Sequence, residues 1–505
     1  MSNLSKSKYY KFLQCAKALW LQTNKPGEAT PDKGREDRFH KGSDVGDLAM
    51  GLLGPFVEVT TKKDERSLDY SAMIQKTKDC LANGTENIAE ASFSVDDDFC
   101  SVDILHKTPD GYAIYEVKSS AYHTDVKTQK ESCKKYASDI AYQKWVLTKC
   151  GINVTGTFLV QLDTCYVLDG TYDLQKLFHI TDIAEYVERE YIRVPEMTAK
   201  AKAVLAQSNE PDDDFGPHCR KPYECEFLNY CKRRKNIPSP SALDLYKGFI
   251  DGVELYKRGK ISFADIESEE LNEIQRIQVH CFLQNVPHID KTGIQSFLDT
   301  LTYPLYYLDF ETMMQPLPEF QGTSPYQQIP FQYSLHYVEK EGAELKHKEF
   351  LGISGTDPRL DLAERLCADI PENVCVLAYH KAFECSRIKE LARDFPRFAA
   401  HLLNIEKNIQ DLEVPFDEGY YYVPAMGHSF SIKNVLPALF PDDSELDYHR
   451  LEDVHDGTEA MNVFPEIRNM SPEKQAKTRA SLLSYCKLDT LAMVKVLEKL
   501  RNAVK

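Results

Sequence analysis

The chain has 505 residues, 42% hydrophobic and 28% charged, which calls for two or three separate cores and supplies the apolar material to fill them. A net charge of −17 argues against a chain that coats nucleic acid through a basic surface while leaving room for a local basic groove, and no apolar run reaches the roughly 18 residues of a bilayer span. The amino-terminal MSNLSKSKYYKFLQ holds lysines but no apolar leader stretch, so a cytoplasmic protein without a membrane partner is expected. The same stretch gathers Lys6, Lys8, Lys11 and Lys17 among Tyr9, Tyr10, Phe12 and Trp20, which read first as solvated and packing residues and secondly as a place where bases could stack. CSVDILHKTPDGYAIYEVKSS predicts a hairpin turning at TPDG, and YASDIAYQKWVL a helix. A polar stretch, AQSNEPDDDFGPHC, leads into a cysteine knot, and NIPSPSA at 236–242 reads as a linker. Residues 243–300 are helical in pattern, and YPLYYLDFETMM opens a segment that alternates strands with helices. The fold class predicted is α/β, with domains at 1–235 and 301–505 joined by a helical linker at 236–300.

The hairpin carries chemistry. Asp103 lies on its first strand, and Glu116 and Lys118 lie two apart on its second, so on one face. Paired carboxylates can hold a hard divalent cation, and a lysine beside them can position a water or offset developing phosphate charge. An exposed strand face with a Glu–Lys pair is the plainer reading of E-x-K alone. The stretch resembles the PD-(D/E)XK nucleases, in their RecB-like branch that includes CRISPR-associated exonucleases. That resemblance implies metal binding by Asp103 and Glu116 and assistance from Lys118, with Gln143 of the helix as a further site residue and Glu90 as an additional acid. The family often has a metal-binding His on an early helix; here Gly46 stands at that place and His40 a few residues earlier.

Cys219, Cys225 and Cys231 follow one another closely, and Cys15 lies far upstream in YYKFLQCAKALWLQ. Thiolates select zinc or iron–sulfur clusters, and the paired C-x₂-C spacing of zinc ribbons does not occur here. One distant amino-terminal cysteine with three clustered ones resembles the 4Fe–4S staple of iron–sulfur RecB-like nucleases, with zinc or no metal as alternatives. Closing a loop of roughly 200 residues would constrain the chain as a cross-link does.

In LDFET, Asp309 and Glu311 share a strand face at the point where the apolar run ends, which places two like charges at the rim of a core. Bound cations cancel such repulsion, and two metal ions about 4 Å apart can clamp the attacking and leaving oxygens of a phosphodiester. Downstream, SYCKLDTLAMVKVLEKL is helical and sets Tyr485 and Asp489 on one face, while CVLAYHKAFECSRIKEL runs from strand to helix with Glu384 at the junction. This order resembles the DEDD exonucleases of the RNase H-like fold, tyrosine subclass. The resemblance implies metal ligation by Asp309, Glu311, Glu384 and Asp489, and a water oriented by Tyr485; Glu384 stands where the family has Asp. Asp411 and GHSFSIKNVLPALFP read as supporting scaffold.

The whole is similar to an uncharacterised bacterial family joining both nuclease types. The expectation is an Mg²⁺- or Mn²⁺-dependent nuclease acting on DNA from single-stranded ends, 3′ to 5′ for the second domain. The alternatives are an exonuclease that trims RNA and a nucleic-acid-binding scaffold with inactive sites.

Overall fold

Residues 98–108 and 111–122 fold back on each other across Pro109 and Asp110, as the TPDG signal requires. In the computed structural model, which describes residues 4–31, 35–64, 67–451 and 453–505, they belong to a seven-stranded sheet. Its centre is β1 (Asn87–Val95), β2 (Asp98–Thr108) and β3 (Gly111–Tyr122), with β2 antiparallel to both of its neighbours. β4 (Val154–Asp163) runs parallel to β3 and β5 (Phe178–Asp182) antiparallel to β4. Helices α1 (Lys6–Gln14) and α2 (Ala16–Asn24) precede the sheet, and α3 (Val126–Lys149) makes the crossover that a parallel β3–β4 pair demands. Leu19, Leu21, Val102, Ile140 and Tyr142 are fully buried in the core that these helices share with the sheet.

The chain divides into two units, residues 1–235 with 315–327 and residues 236–314 with 328–505. Both departures from a simple boundary are informative. Residues 236–300, read as a linker, are part of the second unit. Their helices α4 (Phe249–Lys257), α5 (Glu273–Gln284) and α6 (Lys291–Leu298) sit in a segment where Tyr246 donates to Asp417 and Gln278 to the Gly427 carbonyl. Residues 315–327 pack in the first unit, where Leu168 exchanges backbone hydrogen bonds with Gly322 and Thr323.

The second unit holds a five-stranded sheet in the order β8–β7–β6–β9–β10. In it β6 (Leu305–Met314), β7 (Gln328–Val338) and β8 (Lys346–Leu351) are antiparallel, and β9 (Cys375–Ala378) and β10 (Ile409–Asp411) extend it in parallel. Strand alternation sends Tyr306, Leu308 and Phe310 into a core with α7 (Arg359–Asp369) and α8 (Ala382–Asp394). Asp309 and Glu311 therefore face the other way. They do not end the strand: β6 runs on to Met314, and the register slips between Glu311 and Thr312, a bulge of the kind that re-aims side chains beside sites. Among the described residues no helix is long and apolar enough to cross a membrane.

Candidate active sites

The second site is assembled by the docking of one long helix. After α9 (Ile432–Leu439) and α10 (Gly457–Glu466), α11 (Pro472–Val504) lies on the sheet. Gln332 Nε2 of β7 donates to the Leu482 carbonyl at 2.8 Å, and the Thr490 hydroxyl hydrogen-bonds Ser334 at 2.6 Å and His336 Nδ1 at 2.7 Å. These bonds fix the rotation of α11, so that Tyr485, Cys486 and Asp489 turn toward β6. Ligand-capable atoms of Asp309, Glu311 and Cys486 lie within 4.8 Å of one another, the only such group of three among the described residues.

The acids crowd each other. Burial, then the charges of Asp489, Glu311 and Glu384, push the Asp309 carboxyl well above the usual range. Glu311 is raised by burial and by Asp489, with the Lys433 ammonium pulling the other way. Asp489 rises to about 6 through burial, against the hydrogen bond from Tyr448 and the charge of Lys433. Glu384, 3% exposed, is pushed up to about 8 by burial and by Asp411, and its Oε2 is buried without a hydrogen-bond partner. Asp411 also fastens the turn before α8 by accepting from the backbone N–H groups of His380 and Lys381, the scaffold role read from its sequence.

An excess of buried carboxylates with an orphaned oxygen fits hard divalent cations such as Mg²⁺ or Mn²⁺. Cys486 shares that space, with Sγ 3.7 Å from Asp309 Oδ2 and 3.8 Å from the Asp309 carbonyl, and burial and the neighbouring acids push its thiol well up.

Around the acids stand groups that the sequence did not single out. Lys433 Nζ donates to the Tyr485 hydroxyl at 2.8 Å, and the Tyr448 hydroxyl donates to Asp489 Oδ1 at 2.7 Å. A Cβ at Gly457 would stand 3.6 Å from Glu311 Oε2 and 3.9 Å from the Tyr485 hydroxyl, so the first residue of α10 borders the same space. Lys433 lies in the segment read only as scaffold, and Tyr448 carries no motif at all.

In the first unit, the β2–β3 ladder pairs residues 104–108 with 111–115 and then opens. Asp103 Oδ2 takes up the slack by accepting the Val117 N–H at 2.7 Å. Glu116, 1% exposed, has both oxygens engaged: Oε1 by Lys6 at 2.7 Å and Lys118 at 2.8 Å, Oε2 by Gln143 at 2.7 Å. Lys118 also pairs with Asp139 at 2.9 Å. Burial alone would raise Glu116, but Lys118 and Lys6 outweigh it and hold the carboxyl at about 2. Asp103, by contrast, is pushed up to about 6 by burial and Glu116, and Glu90 to about 8 by burial and Asp103. Glu90 sits in β1 at φ +57°, a conformation that costs of order 1–3 kcal/mol in a residue other than glycine.

The predicted quartet Asp103, Glu116, Lys118 and Gln143 is thus brought together, with Lys6 and Asp139 as unforeseen members. Burial and neighbouring acids hold Asp103 and Glu90 up, whereas Glu116 already has both oxygens engaged by Lys6, Lys118 and Gln143. Gly46 lies in the helix Arg35–Ala49, and the His40 side chain lies outside the described residues.

Cys15, Cys219, Cys225 and Cys231 line one cavity, together with Lys17, Asp213 and His218. All four are free thiols, and burial pushes Cys15 up to about 12 and Cys231 to about 11. Four thiols around one cavity are a donor set that suits either an iron–sulfur cluster or zinc. Polar contacts already tie the two ends of the unit together here: Lys11 pairs with Glu226 at 2.9 Å, and Trp20 Nε1 donates to the Gln207 carbonyl at 3.0 Å.

The profile of a family described as a domain of unknown function (DUF2779) matches residues 306–431. That span contains Asp309, Glu311 and Glu384 and ends before Lys433, Tyr485 and Asp489. No curated protein matches the chain.

Proposed function

We propose that the protein is a cytoplasmic, metal-dependent nuclease whose second unit removes nucleotides from DNA strand ends in the 3′-to-5′ direction. The observation that carries the reading is the convergence of Asp309 and Glu311 from a central strand with Asp489 and Tyr485 from α11, in a buried space with too little positive charge. Asp309, Glu311, Glu384 and Asp489 would hold the cations. Two bound Mg²⁺ or Mn²⁺ ions supply stabilisation of charge on the attacking and leaving oxygens of a phosphodiester. Tyr485 accepts from Lys433 and hydrogen-bonds Asp489, so its hydroxyl stands between a cation and a carboxylate, where it would orient a water. Burial and the surrounding acids hold that hydroxyl far above its ordinary range, so it orients by hydrogen bonding and does not serve as a base.

The four cysteines would carry a 4Fe–4S cluster that staples the ends of the first unit. For the Asp103–Glu116–Lys118 site, a second reading has specific support: a site that holds a strand without cutting it. The saturation of Glu116 by Lys6, Lys118 and Gln143 favours that reading.

Digestion of end-labelled single-stranded DNA, duplex DNA and RNA with Mn²⁺ tests the proposal. Stepwise release from DNA that Asp309→Ala abolishes is expected. Preferential digestion of RNA would make the protein an exoribonuclease. No cleavage of any substrate, with binding retained, would make it a scaffold. Lys118→Ala in the same assay assigns any remaining cleavage to the first unit.

A further inference from the structure

The first unit has a cleft of about 390 Å³ that neither acidic site accounts for, within the range of small-ligand pockets. It opens beside α1 and α3, and its lining includes Tyr10, Lys134, Lys135, His218 and Lys221. Glu131 is the one acid in that lining, and it pairs with Lys134 at 2.7 Å on the exposed rim. Three lysines against one glutamate reverse, locally, the sign of a chain that carries −17 overall. Lys221 has no ion-pair partner among the described residues.

Aromatic rings interleave with these cations. Lys135 Nζ lies 5.1 Å from the centre of the Tyr223 ring and 5.2 Å from that of Tyr136. The Tyr10 and Tyr223 rings are 6.3 Å apart, and Tyr223 is 49% exposed. Tyr136 in turn lies 5.3 Å from Lys118 Nζ, the lysine that pairs with Glu116 and Asp139. Ring and ammonium therefore alternate from the cleft to the Asp103–Glu116 site. The wall is fixed from behind, where Gln14 Nε2 donates to the carbonyls of His218 at 3.0 Å and Tyr223 at 2.9 Å.

We propose that this cleft seats a single strand of nucleic acid, with bases stacked on Tyr10 and Tyr223 and phosphates against Lys134, Lys135 and Lys221, and leads it past Tyr136 to Lys118. The inference rests on reading Asp103, Glu116 and Lys118 as a phosphodiester site, and adds where the substrate lies and why it is single-stranded. The exposed Tyr223 ring, with the half-buried Tyr10 ring beside it, offers a face for unpaired bases, which a duplex keeps stacked inside itself, and lysines take up phosphate whatever the sequence. An acidic peptide would use the lysines but leave the rings idle.

The test is the binding of fluorescein-labelled oligothymidylate and oligouridylate to the full-length protein by anisotropy, without added divalent cation so that hydrolysis does not enter. Duplex DNA and polyglutamate serve as competitors. Tyr10→Ala with Tyr223→Ala is expected to weaken binding roughly tenfold or more at unchanged melting temperature. Lys135→Ala with Lys221→Ala is expected to flatten the dependence of log K on log salt by about 0.7 for each phosphate deprived of its lysine. These lysines are surface groups, so the second pair keeps the test meaningful should the tyrosine pair fold poorly. Wild-type affinity in both pairs, no affinity of the wild type for either oligonucleotide, or equal competition by polyglutamate would overturn the proposal. Because binding and cleavage are read separately, intact binding with no hydrolysis in the wild type would remove the nuclease reading and leave the cleft assigned.

Discussion

The Lys433 ammonium donates to the Tyr485 hydroxyl at 2.8 Å while lying 4.9 Å from the centre of the same ring and 5.5 Å from that of Tyr448. One cation and one carboxylate, Asp489, thus fix the direction of the hydroxyl between them. Tyr485→Phe is expected to lower kcat by roughly 100-fold with little change in KM, since the hydroxyl acts on the reacting water. Lys433→Met should cost about tenfold, and the double variant no more than Tyr485→Phe alone, because the lysine acts through the tyrosine. Steady-state rates on a labelled oligonucleotide with Mn²⁺ check this; independent, additive losses would separate the two residues.

Cation binding at the second site should release protons. Asp489 at about 6 and Glu384 at about 8 are partly protonated near neutrality, and Asp309 and Glu311 are raised as well. A raised carboxyl contributes stability below its unfolded value near about 4 and loses it as pH climbs through the folded value. The metal-free protein is therefore expected to lose stability progressively from about pH 4 to about pH 8, and apparent Mn²⁺ affinity to rise over the same interval. Calorimetric titration in two buffers of different ionisation enthalpy measures the protons released.

Glu116 behaves in the opposite sense. Its carboxyl is held at about 2 against an ordinary value of 4.5, so its ion network contributes stability above pH 4.5 that is lost as pH falls toward 2. Replacing Lys118 by Met leaves a buried carboxylate with one cation fewer and should destabilise the first unit by about 3–5 kcal/mol. Urea unfolding at pH 7 and pH 3 checks both statements; Glu116→Gln should remove most of the acid sensitivity.

Much of both acidic sites was legible because their residues come in local pairs. Asp309 with Glu311, Glu116 with Lys118 and Tyr485 with Asp489 declare a shared face through the periods of strand and helix. Lys6 reaches Glu116 across 110 residues of sequence, and Tyr448 reaches Asp489 across 41, so no periodicity marks them. Asp139 stands on α3 four residues before Gln143, on the same helix face, and that spacing was the one available signal for it. The allegiance of residues 236–300 to the second unit, and of 315–327 to the first, depends on tertiary packing that linker composition does not encode.

The cysteine cavity predicts colour. Anaerobically purified protein is expected to be brown with about four irons per chain, and Cys219→Ser to bleach it and lower the melting temperature. Stoichiometric zinc in a colourless preparation would assign the thiols to zinc instead.

If divalent cations are what lets Asp309, Glu311 and Asp489 tolerate one another, anomalous scattering from a crystal soaked in Mn²⁺ should locate them. Manganese peaks are expected between Asp309, Glu311 and Asp489, lost in Asp309→Asn; full Mn²⁺ occupancy elsewhere with none among these carboxylates would rule the cations out as the reason these acids sit together.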